Sequence, residues 1–199
     1  MPPQAFMVRV PCGPPRNRLW TVAQFHALGD LGCFEGCRAS LINGVIVEEG
    51  AMNPPHRIAL ELTDTAMRAV FGTGWRVCVQ MPLLLGLQTA PQPDIAIVPG
   101  NPRGSSTHPT TAVLVIEVAD WSLIHDITTK AEVYATAGIQ DYWVLDVENR
   151  RLLVFRDPMP LPIVLGGTAY RTHLSLAPAD TVAPLATPCS PIRVADLLP

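Results

Sequence analysis

The chain has 199 residues, of which 48% are hydrophobic and only 16% charged. That length and balance fit one folded domain with its own core, and exclude both a disordered chain and a small disulfide-stapled one. The formal net charge of −3 gives no overall attraction to nucleic acid, so contact with phosphates must come from a local basic strip.

The cysteines are Cys12, Cys33, Cys37, Cys78 and Cys189. Their number is odd and no zinc-type pair of Cys-x-x-Cys units occurs, so they are expected to be reduced thiols in a cytoplasmic protein. The N-terminus has no basic stretch followed by an apolar one, so no signal peptide is expected. No uncharged apolar run is long enough to span a bilayer, so no membrane segment is expected.

Residues 1–17 are proline-rich and are predicted to form an arm; residues 18–199 are predicted to form a single domain. Thr21 can cap a short helix over 22–28 that ends at Gly29-Asp30. Residues 39–48 read as a β-hairpin turning at Asn43-Gly44, a dipeptide favoured in tight primed turns. Asn53-Pro54-Pro55 opens a helix over 56–71. Its apolar residues form two stripes, Ile58, Leu62, Ala66 and Ala69 on one and Leu60, Met67 and Val70 on the other, which predicts a well-buried helix. Strands are expected over 76–85, 93–98 and 112–119. The last, AVLVIEVA, is almost wholly apolar, as in a strand covered on both faces. A helix over 123–137 ends at Gly138. Residues 141–147 and 151–156 read as a strand and its hairpin partner, and the last forty residues as short β segments. The order predicts an α/β protein: a mixed sheet carrying helices, with a flanking hairpin and a β-rich C-terminal tail.

The informative residues are charges inside apolar strands. Asp94 opens one strand and Glu117 lies late in the most hydrophobic one. An isolated buried carboxylate costs several kcal/mol or more, so it is normally paired or bound to metal. Two of them on adjacent strands would repel each other, and a divalent cation relieves that repulsion. Oxygen ligands of this kind suit Mg²⁺ or Mn²⁺.

Lys130 shares a helix face with Asp126 and Tyr134. An Asp126–Lys130 surface pair would be worth only about 0.3–0.5 kcal/mol and would leave folding nearly indifferent to this lysine. Composition argues for more: of 14 basic residues only Lys130 is lysine, and arginine replaces lysine badly where a compact, adjustable charge is needed. Glu48, His56 and Gln80 are further candidates near the same place. His26, His108, His125 and His173 show no ligand-like grouping. Tyr142 and Trp143 read as core aromatics.

The strings PQPDIAIV and VIEVADWSLIHDITTKAEVYATAGIQDYWVLDVENRRLLVFRDP resemble the Uma family of bacterial restriction-endonuclease-like proteins. LINGVIVEEGAMNPPHRIAL and DTVAPLATPCSPIRVADLLP are similar to that family too, so the resemblance covers about residues 18–199. It implies a restriction-endonuclease-like PD-(D/E)XK core. Pro93-Asp94 matches the PD, and Glu117-Val118-Ala119 matches the (D/E)XK with Ala119 in the lysine position. The resemblance places the lysine function on the following helix, at Lys130. It implies Asp94, Glu117 and Lys130 as the catalytic set, and Mg²⁺ (or Mn²⁺) held by Asp94 and Glu117 with the Val118 carbonyl and Glu48. His56, Gln80 and Asp126 would stand around them. The implied substrate is DNA. A second reading is a non-catalytic nuclease-fold protein that acts as a dimeric binding or interaction module. Exposed strand edges in the hairpin and tail predict a homodimer.

Overall fold

The computed structural model describes residues 17–199, except 51, 105–106 and 163–165. Almost all of the expected proline-rich arm therefore lies outside the described residues. Helix α1 (Val22–Asp30) begins with a capping box, in which Thr21 and Gln24 satisfy each other's backbone N–H groups. Strands β1 (Arg38–Ile42) and β2 (Val45–Glu49) form an antiparallel hairpin. Its turn uses Asn43 at φ 49° and Gly44 at φ 80°, both in the left-handed region. A Cβ on Gly44 would stand 2.6 Å from Leu19 Cβ, so glycine is required here on two counts.

Helix α2 (Pro54–Phe71) is capped by Asn53, whose side chain accepts from the His56 N–H at 3.0 Å. Only one of its two apolar stripes is buried. Leu60 and Met67 pack into the core, while Ile58 and Leu62 are exposed. The helix lies on one face of the sheet with solvent behind it, so a second apolar stripe has nothing to cover it.

The central sheet has six strands in the order β3-β4-β5-β6-β7-β8. These are β3 (Trp75–Val79), β4 (Ile95–Pro99), β5 (Leu114–Ala119), β6 (Asp141–Asp146), β7 (Arg151–Pro160) and β8 (Thr168–Leu176). All neighbours pair antiparallel except β5 and β6, which are parallel. The β5–β6 crossover carries a helix that starts as α3 (Leu123–His125), passes through a π-helical turn (Asp126–Lys130) and ends as α4 (Ala131–Thr136). Gly138 follows at φ 75°.

The strand expected over 76–85 is shorter than read. It stops at Val79 because Gln80 takes φ 49° and turns the chain. Residues beyond it bury Leu83 without a ladder, using single bonds such as that from the Leu83 N–H to the Pro91 carbonyl. The tail departs in the other direction: β7 and β8 form one long hairpin rather than only short pieces. Two-residue strands β9 (Thr181–Val182) and β10 (Ile192–Arg193) then lead into a 3₁₀ turn (Val194–Leu197).

Alternation along the strands builds two cores. Ile95, Ile97, Ile116, Val118, Trp143 and Leu145 face α2 and the C-terminal segment. Ala96, Val98, Val115, Ala119, Tyr142 and Val144 face the crossover helix. Among the described residues no helix is long and apolar enough to cross a membrane. Cys33, Cys37, Cys78 and Cys189 are free thiols.

Candidate active site

Asp94 precedes β4, two residues before Ala96, and Glu117 lies between Val115 and Ala119 on β5. Alternation therefore points both toward the crossover helix. Ile95 pairs with Ile116, so the register continued by one residue sets Asp94 opposite Glu117. The Val118 N–H donates to Asp94 Oδ2 at 2.9 Å and fixes that carboxylate against β5.

The π turn supplies the other side. Its i to i+5 bonding widens the helix, so residues four apart stay on one face. Asp126 and Lys130 are both buried there, and Tyr134 follows one turn later. Lys130 Nζ lies 3.1 Å from Glu117 Oε2, 3.1 Å from Asp126 Oδ1 and 3.2 Å from Glu49 Oε1. Tyr134 donates its hydroxyl to Glu117 Oε1 at 2.7 Å, and Ser122 donates to Asp126 Oδ2 at 2.5 Å.

The hairpin closes the cluster. Arg38 Nη1 donates to Asp94 Oδ1 at 3.0 Å, and its Nη2 lies 3.2 Å from Glu49 Oε2. His56 Nε2 and Gln80 Nε2 each lie 3.4 Å from Asp94 Oδ1. Glu49 rather than Glu48 makes the inward contacts. Glu48 is exposed and stands on the rim, because neighbours on a strand point to opposite faces. The notion of a weak surface pair at Lys130 is also corrected: the side chain is 5% exposed and Asp126's 1%.

Arg38 and Glu49 were not singled out from the sequence, although a signal for both existed. Counting outward from the Ile42–Val45 pair beside the turn sets Arg38 against Glu49. Tyr134 was placed on the face of Asp126 and Lys130, and nothing local marks its hydroxyl as paired with Glu117.

Asp94, Glu117, Asp126 and Glu49 bring four carboxylates to two permanent cations, Arg38 and Lys130. The imbalance sets the protonation. Burial pushes the Glu117 carboxyl up, the Lys130 charge opposes it, and Asp126, Asp94 and Glu49 add to it, so that it reaches about 8. Burial likewise raises Asp126 above the usual carboxylate range against the pull of Lys130. Burial alone would lower Lys130, but the carboxylates of Glu117, Asp126, Glu49 and Asp94 hold it above the ordinary lysine value. Asp94 goes the other way. Its burial is outweighed by His56, Arg38 and the Val118 N–H, which bring it down to about 2.

This donor set fits a hard divalent cation. The acidic side chains offer oxygen atoms, the His56 ring nitrogen lies beside Asp94, and the carboxylates outnumber the permanent cations. Glu49 Oε1 and Asp126 Oδ1 are buried against the Lys130 ammonium, at 3.2 and 3.1 Å. Among the described residues no three Cys, His, Asp or Glu side chains are grouped to cage a metal. Mg²⁺ keeps several waters and needs only one or two carboxylates. The cluster reaches solvent through a cavity of about 230 Å³ lined by Arg38, Glu49, Asn53, His56, Trp121 and Lys130, among others.

A mixed sheet with a helical crossover, and buried acids meeting a lysine on one of its faces, make this a mixed α/β protein with a buried charged cluster. A solved structure described as a putative nuclease belonging to DUF820, from Anabaena variabilis ATCC 29413, has a similar fold: the TM-score is 0.61 at 14% identity, over 80% of this chain and 88% of that one. The Uma2 family model, described as "Putative restriction endonuclease", matches residues 22–183, and the chain belongs to that family. No curated protein matches it.

Proposed function

We propose that this chain is a Mg²⁺-dependent endonuclease that hydrolyses DNA phosphodiester bonds, with Mn²⁺ able to substitute. The observation that carries the reading is the buried set of Asp94 and Glu117 on one sheet face with Lys130 against Glu117, holding more carboxylate than cation. DNA as substrate rests on the family.

Asp94 and Glu117 would hold the cation, with the Val118 carbonyl as a further oxygen, while Glu49 stays with Arg38 and Lys130. When bound, the cation lowers the pKa of a coordinated water and polarises the phosphoryl oxygen. The remaining work belongs to the chain. Lys130 presents an ammonium that orients the attacking water and meets the negative charge developing on the phosphoryl oxygens. Tyr134 holds one Glu117 oxygen so that the other stays with Lys130. Arg38, His56 and the Val118 N–H keep Asp94 ionised and in place.

The test is cleavage of single-stranded, supercoiled and linear duplex DNA with Mg²⁺, Mn²⁺ or EDTA. Cleavage is expected with either cation and not with EDTA, and Asp94→Asn is expected to lower it by roughly 100-fold or more. Absence of cleavage by the folded wild type under all conditions would instead support a nuclease-fold binding module and overturn this reading.

A further inference from the structure

The site just described implies a particular form of substrate, and this inference rests on that reading. Glu117 and Lys130 are 1% and 4% exposed. The way in is the cavity of about 230 Å³ in which Lys130, Arg38, Glu49 and His56 meet solvent. A scissile phosphate has to enter it. Duplex DNA is stiff, and bending a short duplex by 40–90° to bring one phosphate into a recess of this size costs roughly 1–6 kcal/mol. A single strand can turn at each sugar–phosphate link and reach the cluster.

Trp121 stands at the mouth of that cavity. It is 71% exposed, whereas Trp143 is fully buried. One edge of its ring rests against Gly50 at the end of β2, where an added Cβ would lie 3.6 Å from Trp121 Cζ2. The rest of this large apolar surface is open to water beside the site. An indole is a flat π surface on which any base can stack, at about 1–3 kcal/mol per base.

Charge points the same way. Duplex binding draws its free energy from many phosphate contacts and the counterions they release. This chain has a formal charge of −3, and Arg57, Arg68, Arg151, Arg156 and Arg171 are already paired with carboxylates. Stacking is a source of affinity that such a surface can supply.

We propose that the substrate is an unpaired DNA strand whose base beside the scissile phosphate stacks on Trp121, making Trp121 the residue that selects single-stranded over duplex DNA.

Fluorescence anisotropy with labelled dT12 and a hairpin duplex of similar length tests this. The full chain is used with Ca²⁺ in place of Mg²⁺, so that binding is read without cleavage. The wild type is expected to bind dT12 at least about tenfold more tightly than the duplex. Trp121→Ala should weaken dT12 binding by about 5- to 150-fold, the equivalent of 1–3 kcal/mol, and leave duplex binding unchanged. Trp121→Phe should keep most of the affinity. Because the residue is exposed, melting of both variants should match the wild type. Preference for the duplex, or dT12 binding that Trp121→Ala leaves intact, overturns the inference while the nuclease reading stands. Failure of the wild type to bind either DNA overturns both.

Discussion

Lys130→Ala is expected to destabilise the folded protein by about 3–5 kcal/mol, the usual penalty for removing one partner of a buried charge pair. The side chain is 5% exposed and lies within 3.2 Å of three carboxylates, those of Glu117, Asp126 and Glu49. Without the ammonium only Arg38 remains as a permanent cation against four acids. The loss should grow as pH rises past about 8, where Glu117 ionises beside Lys130 in the wild type. Lys130→Arg separates folding from chemistry. It keeps the positive charge and should recover much of the stability, but the guanidinium is bulkier, planar and cannot take the ammonium's place among three carboxylates. Its cleavage rate is expected to fall about as far as that of Lys130→Ala, by roughly 100-fold or more. Urea denaturation and cleavage measured on both variants decide it. If Lys130→Arg cleaves like the wild type, lysine has no special role in the reaction.

Glu117→Gln should produce the opposite split, a loss of activity without a loss of stability. In the metal-free protein the Glu117 carboxyl is raised from 4.5 to about 8, chiefly by burial and against the Lys130 charge. Between those values the folded state holds a proton that the unfolded chain releases. The stability linked to this proton is fully present below pH 4.5 and is lost as pH rises through 8, at up to about 1.4 kcal/mol per pH unit. Glutamine carries no such proton, so the slope from Glu117 should vanish and the variant should be at least as stable as the wild type at pH 8. Cleavage should fall by roughly 100-fold or more, because a carboxylate that would hold the cation is gone. Urea unfolding in EDTA from pH 5 to 8.5 reads the slope. An unchanged slope in the variant would mean that Glu117 is not the group that titrates.

Much of the site was legible because charge is conspicuous in apolar strands. Asp94 and Glu117 were visible for that reason, and Lys130 because the chain uses arginine at every other basic position. Helix starts at Thr21 and Asn53 and the turn at Asn43-Gly44 were legible because capping and turn chemistry are local. What stayed hidden depends on residues far apart in the chain. Arg38 reaches Asp94 across 56 positions, and no local pattern states that the hairpin docks there. Glu49 was displaced by Glu48 through a slip of one residue, which on a strand reverses the side chain's direction. The π turn has too little length to show in hydrophobic periodicity, yet it sets Asp126 and Lys130 inward together. The apolar run after Gln80 looked like more strand, since periodicity cannot separate a buried loop from a buried strand.

The central claim is that the excess of buried carboxylate is a site for a divalent cation, and calorimetric titration of the wild type with Mg²⁺ or Mn²⁺ tests it most directly. Done at pH 7 in two buffers of different ionisation enthalpy, it counts protons as well as cations. Because Glu117 holds its proton up to about pH 8 without metal and must ionise to act as a ligand, binding should release about one proton per cation. Asp94→Asn and Glu117→Gln should each abolish the binding. A wild type that takes up neither cation at millimolar concentration, or binding that survives both substitutions, would contradict the account.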